Sequence, residues 1–170
     1  PAKTKLMNIT LKKNVDLNSH PLYFGGTTLK AVSNQRHLGL EFTNNLKWST
    51  HIDKLIENVS NVCDVMQKLK RKLDRKTLEH IYFSFVRPKF EYGSIIWDDC
   101  SQADEERLEK LQLRFARTVT GPKRGTSHGL LYKETGWPKL SDRRNFSKLK
   151  FIHRVINHNS PSYTYITYYP

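Results

Sequence analysis

The spacing of apolar residues changes near residue 42, from short alternating runs to runs that recur every three or four positions. Residues 5–11 alternate between apolar and polar side chains, which predicts a strand. Gly25-Gly26 separates two short apolar segments and predicts a β-hairpin turn. Another strand is predicted from Leu38 to Phe42. Strands this short do not form an independent sheet of any size.

Helical spacing takes over after residue 50. A capping box at Thr50 and Asp53 predicts the start of the first long helix. A basic turn follows this helix, and Asp74 is the predicted cap of the second. Pro88 must kink or end that second helix, because proline cannot donate a backbone hydrogen bond. The apolar positions expected to face the core of the first two helices are Ile52, Leu55, Ile56, Val59, Val62, Cys63, Met66, Leu69, Leu73, Leu78, Ile81, Tyr82 and Phe85.

Three further helical segments are predicted downstream. A segment rich in aromatic and β-branched residues precedes them and is interpreted as core, in a short helix or a strand. Ser101 and Asp104 form a second capping box, and Gly121-Pro122 ends that helix. A short segment near Leu130-Leu131 precedes a last helix that starts near Ser141. The expected buried residues are Phe90, Tyr92, Ile95, Ile96, Trp97, Leu108, Leu111, Phe115, Val119, Phe146, Leu149, Ile152, Val155 and Ile156.

These patterns predict an α+β fold that is mostly α. Short N-terminal antiparallel strands with a hairpin are followed by a bundle of about four to five helices. The 170 residues divide into three predicted regions: strands at 1–46, a helical region at 47–124, and a basic helical extension with a tail at 125–170.

The charge narrows the class of partner. The chain has 29 Lys+Arg against 16 Asp+Glu, a formal net charge of +13. So large a basic excess is typical of proteins that bind nucleic acid, although lysines also serve as a plain solvated surface. A first basic cluster surrounds the predicted turn after the first long helix. The helix dipole accounts for part of this cluster, namely Lys68, Lys70, Arg71 and Lys72, but not for Arg75 and Lys76.

A second set of cations follows the third long helix. Arg107, Lys110, Arg114 and Arg117 repeat at helical spacing beside the apolar stripe, which places cations along the rim of a groove. The alternative is a solvated flank paired with Glu106 and Glu109. A basic loop at Lys123 and Arg124 follows the helix. All these cations are candidate nucleic-acid-binding residues.

Several classes of chemistry have no support in the sequence. Cys63 and Cys100 are far apart, which argues against a disulfide framework and fits a reducing, intracellular compartment. The histidines show no metal-ligand spacing. The Gly-x-x-x-x-Gly-Lys phosphate loop is missing, so no cofactor is predicted. No apolar run is long enough to span a membrane, and the N-terminus has no signal-peptide core.

Asp98-Asp99 is the one feature that suggests catalysis. An aromatic residue followed by paired aspartates resembles the metal-binding turn of a polymerase, where carboxylates hold two Mg²⁺ ions. Such a site needs another carboxylate on a neighbouring strand. The acids available in the strand region are Asp16 and Glu41, and neither is well placed. We therefore interpret Asp98-Asp99 as an interhelical turn and predict no catalytic or metal site.

Five segments together resemble the C-terminal part of non-LTR retrotransposon reverse transcriptases. Residues 1–5 are similar to the end of the family's "FNPxKTK" segment, and residues 37–40 to its "HLG" primer-grip strand. Residues 46–52 resemble the "LxWxxHI" segment that opens the thumb helix. Tyr92-Gly93 with Trp97, and then Leu108, Leu111 and Gln112, resemble the "YGxxxW … LExLQ" region. The segments lie in the family's order and cover most of the chain.

The resemblance implies the last palm strands, the primer grip and the thumb, followed by a basic helical extension. The primer-grip residues would be His37, Leu38 and Gly39. The family's "YADD"-type aspartates, and with them the Mg²⁺ ions, would belong to the missing upstream palm. The expected partners are then RNA, RNA–DNA hybrid or DNA, together with the palm and fingers. The location would be the nucleus or the cytoplasm, with no membrane and no small-molecule cofactor.

The sequence therefore leads to a functional expectation with open alternatives. We expect a fragment of an RNA-directed DNA polymerase that is not an enzyme by itself and binds primer–template nucleic acid nonspecifically through its backbone. The alternatives are a basic helical module for protein interaction or structure, and an inactive retroelement remnant with no function of its own.

Overall fold

A computed structural model of the chain describes residues 4–10, 21–121 and 125–157. The chain forms two compact units, Pro1–Lys54 and Leu55–Pro170. Short strands lie in the first unit and the second is helical, so the predicted α+β, mostly α class is confirmed. The predicted boundaries at residues 46 and 124 differ from this division and remain predictions.

The strands of the first unit form pairs. β2 (Tyr23–Phe24) and β3 (Thr27–Thr28) are antiparallel around Gly25-Gly26, which confirms the predicted hairpin. β1 (Lys5–Leu6) pairs with β4 (Lys30–Ala31) in parallel. The strand predicted over residues 5–11 is therefore too long: residues 7–10 are not in a strand, and Leu11 lies outside the described residues. An alternating pattern becomes a strand only where a partner accepts its backbone hydrogen bonds, and β4 is two residues long.

A second hairpin joins β5 (Asn34–His37) and β6 (Leu40–Thr43), with His37 opposite Leu40. Leu38 and Gly39 form the turn, with φ of 46° and 81°. The prediction of a strand beginning at Leu38 was wrong. Positive φ at both positions is the requirement of a type I′ two-residue loop, so Leu38 belongs to the turn and not the strand, and it is 76% exposed.

The start of α1 (Ser49–Leu69) organises the core of the first unit. The Trp48 carbonyl accepts a hydrogen bond from the Ile52 N–H at 2.9 Å, so the helix begins at Ser49. The predicted cap at Thr50 is wrong, because the cap position is Trp48, two residues earlier. Trp48 packs edge to face on Phe42, with ring centroids 5.4 Å apart. Leu40 and Ile52 are buried with it.

The second unit contains the rest of α1 and the helices that follow it. Within α1, Val59, Cys63 and Met66 are buried, as the apolar stripe predicted. The other helical elements are α2 (Arg75–Ile81), a π-helical segment (Tyr82–Val86), α3 (Arg87–Glu91), α4 (Ser94–Trp97), α5 (Gln102–Thr120), α6 (His128–Thr135) and α7 (Leu140–Ile156).

The helix α5 is the centre of this unit. Its predicted cap is confirmed: the Asp104 N–H donates to Ser101 Oγ at 3.2 Å, and Ser101 Oγ donates to the Asp104 carboxylate at 2.8 Å. It packs against α2, α6 and α7. Because neighbours cover it on several sides, more of α5 is buried than one stripe requires. Its buried residues are Asp104, Leu108, Leu111, Gln112, Leu113, Phe115, Ala116, Thr118 and Val119.

The π-helical segment accounts for Pro88 and for one correction. The Arg87 N–H donates to the Tyr82 carbonyl, five residues back. The wider turn accommodates Pro88, so the helical backbone continues through Pro88 and does not end there. The extra residue per turn also shifts the register: Val86 is buried, whereas Phe85, predicted to face the core, is 62% exposed.

Gln112 connects α5 to two other parts of this unit. Its Oε1 accepts a hydrogen bond from the Tyr82 hydroxyl at 2.7 Å, and its Nε2 donates to the Pro138 carbonyl at 2.9 Å. The ring of Tyr82 also stacks on Trp137 at 3.8 Å between centroids. The side chain of Gln112 thus fixes the π-helical segment and the connection between α6 and α7 on one helix.

The last helix exposes most of the apolar residues that were predicted to be buried. Val155 is buried as expected, together with Leu140 and Arg144. Four other residues predicted to be buried are exposed: Phe146, Leu149, Ile152 and Ile156. The same correction applies to three residues around α4 that were interpreted as core: Tyr92, Ile95 and Ile96. In α7 the cause is a set of ion pairs between its charged side and the rest of the unit.

We expect Gln112→Leu to destabilise the chain by about 2–3 kcal/mol, because it leaves the buried Tyr82 hydroxyl without its acceptor and removes the hydrogen bond to the Pro138 carbonyl. Tyr82→Phe, which removes one hydrogen bond and keeps the ring, should cost about 1–2 kcal/mol. Urea unfolding followed by circular dichroism measures both. Gln102→Leu, at the exposed first position of α5, is the control and should change stability little. Equal effects of Gln112→Leu and Gln102→Leu would contradict this role for Gln112.

Candidate nucleic-acid interface

Six predicted cations lie together at the junction of α1 and α2. The Lys72 and Leu73 N–H groups donate to the Leu69 carbonyl at 2.8 and 3.0 Å, which closes α1 in a tight turn. Asp74 then caps α2, because its carboxylate accepts a hydrogen bond from the Thr77 N–H at 3.1 Å. Hydrogen bonds from the Thr77 side chain and from its N–H lower the pKa of Asp74. The α1–α2 basic cluster is Lys68, Lys70, Arg71, Lys72, Arg75 and Lys76, and all six are exposed.

Arg75 differs from the other members of the α1–α2 basic cluster. Its guanidinium contacts Glu79 at 2.9 Å, the Glu134 carboxylate at 3.0 Å and the Glu134 carbonyl at 2.9 Å, so it fastens α2 to α6. The remaining five members form no ion pair within the described residues. Their charges therefore face solvent, and of the described carboxylates Asp74 interacts electrostatically with one of them, Lys76.

The cations along α5 have mostly acidic partners. Arg107 contacts Asp104 at 2.9 Å, and Lys110 lies 4.0 Å from Glu106. Arg114 pairs with Asp64 of α1. Arg117 is exposed and has no ion pair in the described ranges.

These ion pairs fit the alternative in which the cations of α5 form a solvated flank paired with acidic residues. They do not fit a row of free cations along the rim of a groove. Glu109, the other acid predicted for such a flank, binds the Tyr132 hydroxyl and the Leu140 N–H instead of a cation of the stripe. The partner Asp64 is 50 positions before Arg114, so no local pattern in the sequence indicated it. Lys123 and Arg124 lie outside the described residues.

The three predicted primer-grip residues form the tip of the β5–β6 hairpin. His37, Leu38 and Gly39 are all exposed. A leucine with positive φ is strained, and exposure leaves its apolar side chain in water. Beside the tip is a cavity of about 290 Å³, lined by Lys5, Met7, Val32, Gln35, His37 and Phe42.

Glu41, considered as a possible metal ligand, has a structural role. Its carboxylate is buried, 2.8 Å from the Lys54 ammonium and 4.0 Å from Arg36. The Glu41 N–H donates to His51 Nδ1 at 3.5 Å. Burial lowers the pKa of His51, which keeps the imidazole neutral and able to accept this hydrogen bond.

Asp98-Asp99 lies between α4 and α5, which confirms the interpretation as an interhelical turn. The Arg144 Nε donates to Asp98 at 2.7 Å, and Lys148 forms a second ion pair with Asp98. Arg144 also pairs with Glu105. Arg144 is only 3% exposed and lies 5.6 Å from the centre of the Trp97 ring. The described residues contain no cluster of three or more His, Cys, Asp or Glu side chains able to hold a metal ion.

A larger cavity of about 410 Å³ lies between α5, α6 and the start of α7. Its lining includes Glu105, Glu106, Glu109, His128, Tyr132 and Lys139. Three carboxylates make it unsuitable for a phosphate, so it is not part of the nucleic-acid interface.

No helix in the described ranges is both long and apolar enough to cross a membrane. In comparisons with known proteins, no family model, curated protein or solved structure matches this chain.

The ion pairs of Asp98 predict a pH dependence of stability. Burial acts to raise the pKa of Asp98, but hydrogen bonds from Lys148 and Arg144 outweigh it, and the pKa is lowered from its ordinary value of 3.8. Because the pKa of Asp98 is lower in the folded state than in the unfolded state, its ionised form stabilises the fold at pH values above the unfolded-state pKa. This stabilisation is lost as the pH falls through the folded-state pKa. We expect Asp98→Asn to be destabilised at neutral pH and to lose less stability than wild type on acidification below about pH 4.

Chemical unfolding across the acid range measures this difference. The control is Asp99→Asn, because Asp99 is exposed and should leave the acid profile unchanged. Parallel loss of stability in wild type and Asp98→Asn on acidification would contradict the role given to these ion pairs.

Proposed function

We propose that this chain is a thumb-like part of a non-LTR retrotransposon RNA-directed DNA polymerase that holds primer–template nucleic acid by its backbone. A polymerase must accept every sequence, so its grip on the duplex uses phosphates rather than base edges. The proposal rests on the five resembling segments and on one structural observation.

That observation is the set of unpaired cations in the α1–α2 basic cluster. Lys68, Lys70, Arg71, Lys72 and Lys76 are exposed and form no ion pair within the described part of the chain. Lys and Arg presented in this way can replace the counterions of a phosphate backbone, which is the main source of nonspecific affinity. In contrast, most of the α5 stripe is neutralised by carboxylates, so it is the weaker part of the candidate interface.

The proposal implies a particular set of partners. The nucleic acid is an RNA–DNA hybrid, RNA or DNA duplex, and the other partner is the palm and fingers of the polymerase. The β5–β6 tip, with His37, Leu38 and Gly39, is the part that we assign to the primer grip. Mg²⁺ belongs to the palm, and the setting is the nucleus or the cytoplasm.

The rival class is a basic interaction or structural module, or a remnant with no function. Under this rival hypothesis the positive charge only keeps the chain soluble. Any binding to a duplex then depends on the net charge of the chain and not on the position of the cations. Charge reversal of the α5 stripe does not separate the two ideas cleanly, because it breaks the ion pairs of Arg107 and Arg114. The α1–α2 basic cluster permits a cleaner test.

We expect the chain to bind a labelled RNA–DNA hybrid with strong salt dependence. If about five phosphates are contacted, log K falls against log salt with a slope of about −4 to −5. Fluorescence anisotropy titrations at several salt concentrations measure this slope. Reversal of Lys70, Arg71, Lys72 and Lys76 to Glu should make the slope shallower by about one unit for each phosphate that is no longer bound.

The matched control reverses four exposed lysines outside the candidate interface: Lys30, Lys47, Lys89 and Lys133. Both variants have the same formal net charge. If they weaken binding equally, the rival class is favoured, and a wild-type slope near zero would rule out backbone binding altogether.

We also expect no nucleotide incorporation by this chain alone in a primer-extension assay with Mg²⁺ or Mn²⁺. The one adjacent pair of aspartates in the sequence is Asp98-Asp99, and Asp98 is held by Arg144 and Lys148. Incorporation that Asp98→Asn abolishes would contradict this expectation and favour an active enzyme.

A further inference from the structure

The exposed side of α7 is an apolar stripe. Phe146, Leu149, Ile152 and Ile156 follow one another at intervals of three, three and four residues. At 100° per residue they cover an arc of about 120°, the width of a core-facing stripe in an amphipathic helix. All four are exposed, Phe146 by 68% and Leu149 by 65%.

Ion pairs hold α7 in this orientation. Arg143 pairs with Glu91 of α3, Arg144 pairs with Asp98 and Glu105, and Lys148 pairs with Asp98. Arg144 and Val155 are buried on the side opposite Leu149. The helix therefore turns Arg143, Arg144 and Lys148 to the unit and the four apolar residues of the stripe to solvent.

Uncompensated cations border the stripe on one edge. Lys150 and Arg154 are exposed one turn apart and have no ion pair within the described residues. The equivalent cation on the other edge, Lys148, is already paired with Asp98. A partner that covers the stripe therefore meets positive charge at one edge.

This charge argues against a second copy as the partner. In a symmetric pair of antiparallel α7 helices the same edge of each helix meets its equivalent, so Lys150 and Arg154 would face the partner's own cations. Like charges at such flanking positions oppose pairing. The net charge of +13 adds to the repulsion between copies.

We propose that the exposed face of α7 docks an amphipathic helix whose apolar stripe has an acidic edge. The four apolar side chains supply the contact area, and Lys150 and Arg154 select carboxylates at the border. This inference does not depend on nucleic-acid binding, because none of its residues belongs to the α1–α2 basic cluster.

The test uses two synthetic helical peptides of about 20 residues with the same apolar heptad stripe. One peptide has Glu at both flanking positions and the other has Lys. Each is labelled and titrated with the full chain by fluorescence anisotropy. We expect the Glu-edged peptide to bind at least about tenfold more tightly than the Lys-edged one.

Two variants of α7 and one control variant test whether the peptide binds to α7. Leu149→Glu with Ile152→Glu should abolish binding of the Glu-edged peptide while leaving the melting temperature unchanged. Lys150→Glu with Arg154→Glu should invert the preference between the two peptides. Val65→Glu with Leu130→Glu, at exposed apolar positions elsewhere, is the matched control and should bind as wild type does.

Several outcomes would overturn the proposal. Equal binding of the two peptides removes the acidic-edge selectivity. A melting temperature lowered by Leu149→Glu with Ile152→Glu means that this chain itself covers the stripe. A wild-type dimer that this variant dissociates in sedimentation means a second copy. Binding to phosphatidylserine vesicles without binding to the Glu-edged peptide means a lipid surface.

Discussion

The second unit depends on buried polar side chains that must keep their partners. Gln112 is 1% exposed, yet its amide is satisfied at both ends, by the Tyr82 hydroxyl and the Pro138 carbonyl. Leaving such a group unpaired in a low dielectric costs about 1–3 kcal/mol. The packing of the π-helical segment and of the α6–α7 connection on α5 therefore has one favourable arrangement. Burial also raises the pKa of Tyr82, so its hydroxyl stays a donor at neutral pH.

Several of the residues that carry the resemblance to reverse transcriptases have structural roles. Gly93 has φ of 62° and opens α4, and the indole N–H of Trp97 donates to the Tyr92 carbonyl at 3.0 Å. Trp48 and Gln112 are buried. Each of these positions needs its residue type for a turn, a buried hydrogen bond or core volume. These motif residues therefore belong to the scaffold, whereas His37, Leu38 and Gly39 of the same resemblance are exposed.

The large positive charge of the chain is unevenly neutralised. Most of the cations on α5 pair with carboxylates, two of them within α5 itself (Asp104 and Glu106) and one on α1 (Asp64). On the inward side of α7 the pairing carboxylates are Asp98 and Glu105 of other elements. The α1–α2 basic cluster and the edge of α7 keep their charge toward solvent. Net charge alone cannot distinguish the two groups, because an ion pair depends on which helices become neighbours.

Local signals in the sequence determined much of the fold. The caps at Asp74 and Ser101 and the Gly25-Gly26 turn were correct, because each depends on residues within a few positions of one another. Periodicity also identified the buried stripe of α5. The tertiary structure alone decided that Phe85 faces solvent and that α7 turns its apolar side outward. The partners of Arg144 are 46 and 39 residues away, so the local amphipathic pattern of the helix contains no sign of them.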